Sequence, residues 1–257
     1  MTKDIDFVFA IPSYQRAKKQ ATLDYFERIG VPSERIYMSV QTEADYNEYR
    51  AQGIEGRVAR LIYREANCVA ANRNTLLDSF PNGKMIVLID DDVRSVVALN
   101  AEGKTDPVES YDGLRRIIVR GFSLAARFST IAFGLYPTPN GYFMHNSIAT
   151  RAVIDGQFFG VFNSPERFSL RYITKEDYEF GCRLIRRYGA LIRLNMYSTN
   201  AGCRTKGGCY DVWKDETGRV GAAQMLCAEY PDIVRMNPHR HGEVLSVSPG
   251  TRKAAEL

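Results

Sequence analysis

The sequence holds no run of about eighteen apolar residues, the length that begins to read as a bilayer-crossing helix, so no membrane-spanning helix is expected. Cysteine is sparse: the five residues at 68, 182, 203, 209 and 227 form an odd set without a Cys-x-x-Cys pair. A zinc site or a disulfide framework is therefore not expected; free thiols in a reducing compartment are. Asp4 and Asp6 interrupt the opening segment where a secretory leader would need an apolar core. The expectation is a cytoplasmic location. Lysine is scarce too, with 9 Lys against 25 Arg. The planar arginine fork grips phosphate through paired hydrogen bonds. This bias suits a phosphate-rich ligand such as a nucleotide or nucleic acid, although a compositional bias of the genome would give the same count. No internal repeat and no linker-like stretch occurs, so a single domain over 1–257 is expected.

What is present is an ordinary globular balance: 257 residues, 45% hydrophobic, 25% charged, net charge +4. That excludes collagen-like, disordered and coiled-coil chains and supplies a substantial core. Through the first ninety residues, short apolar runs alternate with helical stretches. Phe7–Ile11 (stopped by Pro12), Arg35–Val40, Val58–Tyr63 and Met85–Ile89 read as strands; Lys18–Ile29, Ala44–Gln52 and Val69–Phe80 read as helices. The alternation predicts βαβ units in an α/β fold, with a Rossmann-like, mostly parallel central sheet and helices on both faces. Further on, helices are expected at Tyr111–Ser129, Thr174–Tyr188 and Ala222–Glu229. Strands are expected at Ile131–Leu135, Gly141–Thr150 and Ala190–Tyr197, and Phe158–Tyr172 reads as an aromatic loop. Arg116, Arg120 and Arg127 share one helical face, a solvated basic stripe or a contact for a nucleic-acid backbone.

Parallel sheets bind ligands beyond the carboxyl ends of their strands. Two loops sit at such ends, Pro12-Ser-Tyr-Gln-Arg16 and Asp90-Asp-Asp92. Three adjacent carboxylates repel one another unless a cation or donors offset them. Their hard oxygens suit Mg²⁺ or Mn²⁺, which can bridge the phosphates of a nucleotide. A solvated turn is the bland alternative, and the apolar strand leading into the triplet favours the metal.

The order Ile11-Pro-Ser-Tyr-Gln-Arg16, Ala71-Asn-Arg-Asn74, Val87-Leu-Ile-Asp-Asp-Asp92 and Thr174-Lys-Glu-Asp177 resembles the GT-A fold nucleotide-sugar glycosyltransferases. The resemblance spans residues 7–190. It implies a nucleotide-sugar-binding half over 1–100 and an acceptor-binding half over 101–257 that includes a C-terminal loop. It also implies that Pro12, Tyr14 and Arg16 line the nucleotide pocket and that Arg73 faces the diphosphate or the sugar. Asp90 would meet the ribose or uracil, and Asp92 would bind Mn²⁺ or Mg²⁺ with Asp91 alongside. His239 or His241 would complete the metal shell. The donor implied is a UDP-sugar, with UDP-glucose inherited from the resemblance.

Thr174 and Asp177 are spaced almost as a capping box, and carboxylates suit a first helical turn. That accounts structurally for Glu176 and Asp177. The resemblance adds chemistry: in an inverting displacement, Asp177 would take the acceptor's hydroxyl proton as general base, supported by Glu176. In Gly202-Cys-Arg-Thr-Lys-Gly-Gly-Cys209, glycines beside cations suit a loop closing over a diphosphate, through Lys206, Gly207 and Gly208. The segment lacks the P-loop pattern, so ATP hydrolysis is not indicated.

Length, arginine content and the Lys206-Gly-Gly208 segment resemble the TET-associated glycosyltransferases of bacteriophages. This implies double-stranded DNA carrying 5-hydroxymethylcytosine or a related hydroxymethylpyrimidine as acceptor, in the host cytoplasm. Such an enzyme needs base flipping, cations for phosphate and aromatics for stacking. Phe158, Phe159, Phe162, Phe168, Tyr172 and Trp213, interleaved with Arg151, Arg167 and Arg171, are the candidates, though for any single aromatic among them a core position is the safer reading. Other readings are a saccharide, lipid or protein acceptor, a nucleotidyltransferase, and a non-enzymatic nucleic-acid binder. The last leaves the acidic triplet unexplained. The nucleotidyltransferase would need a glycine-rich loop with Arg and Lys after the first strand, and none is present.

Overall fold

The computed structural model describes residues 5–202, 208 and 215–253. Strands β1 (Phe7–Ser13), β2 (Ile36–Val40), β3 (Arg60–Tyr63) and β4 (Met85–Ile89) alternate with helices α1 (Ala21–Ile29), α2 (Glu43–Ala51) and α3 (Val69–Asp78). They form a parallel block in the order β3-β2-β1-β4. Then follow β5 (Val93–Leu99), β6 (Thr105–Pro107), α4 (Tyr111–Arg127), β7 (Ala132–Tyr136), β8 (Ser147–Ala149), β9 (Phe158–Phe162), α5 (Glu176–Tyr188) and β10 (Ile192–Ala201). The order continues β4-β9-β7-β10-β8-β13, where β13 is Thr251–Lys253; β5 pairs with β10, and β6 with β5. The pair β7-β10 is parallel again, while β9 runs antiparallel to both β4 and β7. Helix α6 (Glu216–Glu229) and a two-stranded ribbon, β11 (Val234–Met236) with β12 (Val244–Ser246), complete the described residues.

Side chains of a strand alternate between faces, and β1 divides the core accordingly. Phe7, Phe9 and Ile11 join Leu23 and Phe26 of α1, Tyr49 of α2 and the stripe Leu114, Ile117, Ile118 and Phe122 of α4. Val8 and Ala10 join Leu76 and Leu77 of α3, Phe180 and Leu184 of α5, and Leu226 of α6. Each large apolar side chain so buried contributes about 1.5–3 kcal/mol. Phe133 of β7 wedges between Gly121 of α4 and Gly160 of β9, where a Cβ on either glycine would overlap its ring.

Several expectations are corrected. Pro12 does not stop the first strand: the β1-β4 ladder ends at Ala10 opposite Leu88, so at Pro12 the absent N–H breaks no bond to β4, and pairing with β2 runs on to Ser13. Val93–Leu99 forms a strand the sequence reading passed over, because the preceding aspartates read as the start of a loop. Phe158–Phe162 is an inner strand rather than aromatic loop. Within Gly141–Thr150 only Ser147–Ala149 is strand.

Candidate functional site

The acidic triplet is a tight turn between β4 and β5, held from α1. The Thr22 hydroxyl donates to the Asp90 carbonyl (2.5 Å) and accepts from the Val93 amide (2.9 Å), and the Thr22 amide donates to the Asp91 carbonyl (3.3 Å). The three side chains diverge. Asp91 is 3% exposed and turns inward, accepting from the Ser13 hydroxyl and from Arg16 Nη1 (2.5 Å). Burial pushes its carboxyl up to about 6, against the pull of Arg16. Asp91 therefore anchors the first loop. Asp92 also meets Arg16 Nη1, at 3.0 Å. Burial works against the Arg16 charge, but Asp91 and Asp92 outweigh it and raise its proton affinity. Tyr14 is half-buried and its carbonyl accepts from the Gly208 amide (2.8 Å); a Cβ on Gly208 would crowd the Arg16 guanidinium. Pro12 is buried in β1. Lys206 and Gly207 lie outside the described residues, as does Trp213.

On the other side of the turn stands Arg73, 4% exposed on α3. Its neighbours explain its placement: Asn72 donates to the carbonyls of Ser13 and Ser39, and Asn74 bonds the Phe168 backbone in both directions. Between these braces Arg73 Nη1 donates to Glu176 Oε1 (2.6 Å) and Nη2 to Asp90 Oδ1 (2.9 Å). Nη2 also reaches the Gly156 carbonyl at 3.3 Å, and the guanidinium lies 5.5 Å above the Phe168 ring. One buried cation thus joins the strand-end acid, 17 residues from it in sequence, to the helix-start acid, 103 residues from it.

Helix α5 begins at Glu176, and its N-cap is Lys175 in the left-handed region (φ 68°), with no side-chain cap. The expected Thr174 cap is absent; the Thr174 hydroxyl is buried without a hydrogen-bond partner. Asp177 instead takes the Gly156 amide on Oδ2 (2.7 Å) and the Tyr178 amide on Oδ1 (2.8 Å). Lys175 pairs with Glu243 and lies over the Tyr178 ring. A non-glycine residue at positive φ stores strain of a kind that clusters at functional sites. Burial raises the proton affinity of Asp90, Asp177 and Glu176, and mutual repulsion adds to it for Glu176. Asp155, which the sequence reading passed over, is pushed up to about 7 by burial and by the Asp177 charge.

Other expected contacts fall elsewhere. His239 is exposed, and exposed His241 pairs through Nδ1 with Glu216 Oε1 at 2.8 Å; neither is recorded against the acidic turn. Phe158, Phe159, Phe168 and Tyr172 are core, not a stacking platform, because β9 and the loop before α5 pack into the sheet. Phe162 packs against Phe122. Arg167 pairs with Asp78 and Arg171 with Glu229. Among the described residues no group of three or more His, Cys, Asp or Glu is set to hold a metal on its own. One donor present suits a hard cation: Asp92 supplies carboxylate oxygen at the turn, and Arg16 would have to yield that oxygen to the metal. Mg²⁺-type ions are commonly bound by one or two carboxylates plus substrate phosphate and water.

No protein-family model and no curated protein matches the chain. Solved structures do. The mannosyltransferase PcManGT of Pyrobaculum calidifontis, in complex with GDP-Man and Mn²⁺, is 14% identical with a TM-score of 0.56 over 92% of this chain and 67% of that one. Glucosyl-3-phosphoglycerate synthase of Mycobacterium tuberculosis, with Mn²⁺, UDP-glucose and glycerol 3-phosphate, is 10% identical with a TM-score of 0.52 over 98% and 91%. S. aureus TarS 1–349 is 10% identical with a TM-score of 0.51; the chain is covered to 86% and spans 65% of that fragment, less than two thirds of its length. The first two are bound to a nucleotide sugar and Mn²⁺, and the mixed α/β, GT-A-type architecture of this chain is the fold the three neighbours share.

Proposed function

We propose that this protein is a metal-dependent, inverting glycosyltransferase that uses a UDP-sugar donor, with glucose as the sugar. The observation that carries this reading is the Arg73 bridge. It sets the acids beyond β4 beside the acids opening α5, so a donor-side group and a base stand in one site. Asp90 would meet the ribose, and Tyr14 and Arg16 the nucleotide. Asp92, with Asp91 behind it, would hold Mn²⁺ or Mg²⁺, which supplies charge neutralisation for the departing diphosphate. Asp177 would take the acceptor's hydroxyl proton. Its raised proton affinity moves it toward the operating pH, the direction a general base needs. Glu176, held by Arg73, would receive sugar or acceptor hydroxyls.

For the acceptor we favour a hydroxymethylpyrimidine in double-stranded DNA. Support comes from the arginine excess and from the α4 face, where Arg120 and Arg127 border a hollow of 290 Å³ with Ser123 and Leu124. The loss of the aromatic candidates to the core weighs against it.

Labelled UDP-glucose and Mn²⁺ are offered with hydroxymethylated DNA, unmodified DNA and a saccharide mixture. The wild-type protein should label hydroxymethylated DNA alone, with binding that weakens steeply with salt. Asp92→Ala should lose Mn²⁺-dependent UDP binding, and Asp177→Ala should bind donor without transferring. Label on the saccharide instead would overturn the DNA acceptor; full transfer by Asp177→Ala would overturn the base.

A further inference from the structure

We infer that the segment Asp155-Gly156-Gln157 is the positioning element for the Asp177 carboxylate, with Asp155 and Gly156 as positioning residues in the transfer. The inference rests on the reading of Asp177 as general base.

The β4-β9 ladder runs from Met85 opposite Phe162 to Ile89 opposite Phe158, and the Asp90 amide extends it by donating to the Gln157 carbonyl at 3.2 Å. The backbone beside Asp90 is thereby fixed to the backbone next to Gly156. The Gly156 amide then donates to Asp177 Oδ2, while the Tyr178 amide holds Oδ1. A carboxylate gripped through both oxygens by main-chain donors cannot rotate, yet each oxygen keeps lone-pair capacity for an incoming hydroxyl.

A Cβ at position 156 would overlap the Arg73 guanidinium, so any larger residue there moves that group, from which the Gly156 carbonyl also accepts. The segment is locked from both ends. Gln157 Oε1 accepts from the Thr199 hydroxyl of β10 (2.6 Å), and Asp155 Oδ1 accepts from the Gln157 amide (2.7 Å). The Asp155 bond shapes the turn that aims the Gly156 amide. What Asp155 supplies at Oδ1 is a hydrogen-bond acceptor, which an amide oxygen supplies equally well.

The test is steady-state kinetics with UDP binding measured by calorimetry in the presence of Mn²⁺, on Asp155→Ala, Asp155→Asn, Gly156→Ala and Asp177→Asn. Asp155→Ala should lower kcat at least about tenfold, and Gly156→Ala about 100-fold, as expected for a misplacement near 1 Å. For Asp155→Ala, donor KM and UDP affinity should stay within about twofold of wild type, the mark of an interaction spent on the chemical step alone; Gly156→Ala also displaces Arg73 from Asp90 and is read on kcat alone. Asp155→Asn should restore kcat. If Asp177→Asn is inactive while Asp155→Ala and Gly156→Ala keep wild-type kcat, the inference is overturned and the base reading stands. The inference also fails if Asp155→Asn is as damaged as Asp155→Ala, or if donor binding by Asp155→Ala falls in step with kcat. Full transfer by Asp177→Asn overturns the base reading itself.

Discussion

Replacing Arg73 by Met isolates the buried charge at the centre of the site. Methionine keeps most of the apolar stem and removes the guanidinium with its contact to the Phe168 ring, leaving Glu176 (side chain 7% exposed) and Asp90 (30% exposed) without their cation. Breaking a buried pair from one side costs about 3–5 kcal/mol. Most of that belongs to Glu176, because water already reaches Asp90 and screens it. The cost is pH-dependent. Burial already raises Glu176's proton affinity above its unfolded value, and losing Arg73 raises it further. A carboxyl so raised contributes stability below its unfolded pKa, and that contribution is lost as pH rises through the folded value. Urea unfolding followed by circular dichroism should give a loss of about 3–5 kcal/mol near pH 8.5 and a much smaller one near pH 5. Adding Glu176→Gln should recover much of the loss at the higher pH, since a neutral amide needs no counter-charge. Equal losses at both pH values, or a loss below about 1 kcal/mol at pH 8.5, would refute Arg73 as the neutralising hub.

Two further outcomes follow from the same electrostatics. Burial raises Asp91 to about 6 and Asp155 to about 7 from 3.8; their stabilising contribution, complete below the unfolded value, is lost as pH climbs through that window, so Asp155→Asn should flatten the Tm–pH curve there, and an unchanged slope would count against the assignment. Arg16 occupies Asp92 in the protein described, so Arg16→Gln should tighten Mn²⁺ binding to the nucleotide-free protein by about tenfold, equivalent to 1.4 kcal/mol, while weakening UDP; manganese titration by electron paramagnetic resonance reads it, and weaker Mn²⁺ binding would contradict it.

Local signals carried much of the architecture. The β1–β4 alternation was legible because each buried strand is a short apolar run closed by turn residues, and the α4 stripe because its spacing is helical. The strand-end acids stood out by composition alone. What escaped is what depends on pairing at a distance. Nothing in Phe158–Phe162 says that it inserts between β4 and β7, so the segment read as loop even though core was the safer place for its aromatics. Val93–Leu99 was masked by the charged turn before it. Asp155-Gly156 is an ordinary turn dipeptide by sequence, and only the approach of Arg73 and Asp177 gives it a role. The Thr174 spacing suggested a cap, but the strained Lys175 takes that place and Asp177 turns to Gly156 instead.

The insertion of β9 also bears on how the chain reaches this state. The first ninety residues contain a complete parallel block, yet one edge of β4 stays open until a strand about 70 positions later arrives. An exposed apolar edge of that kind invites pairing with other chains, and contacts so distant in sequence close slowly. The parallel block of the first ninety residues is thus not a separable folding unit. A fragment ending near residue 100 should aggregate rather than bind nucleotide, and during synthesis the molecule is most vulnerable between the emergence of Ile89 and that of Phe162.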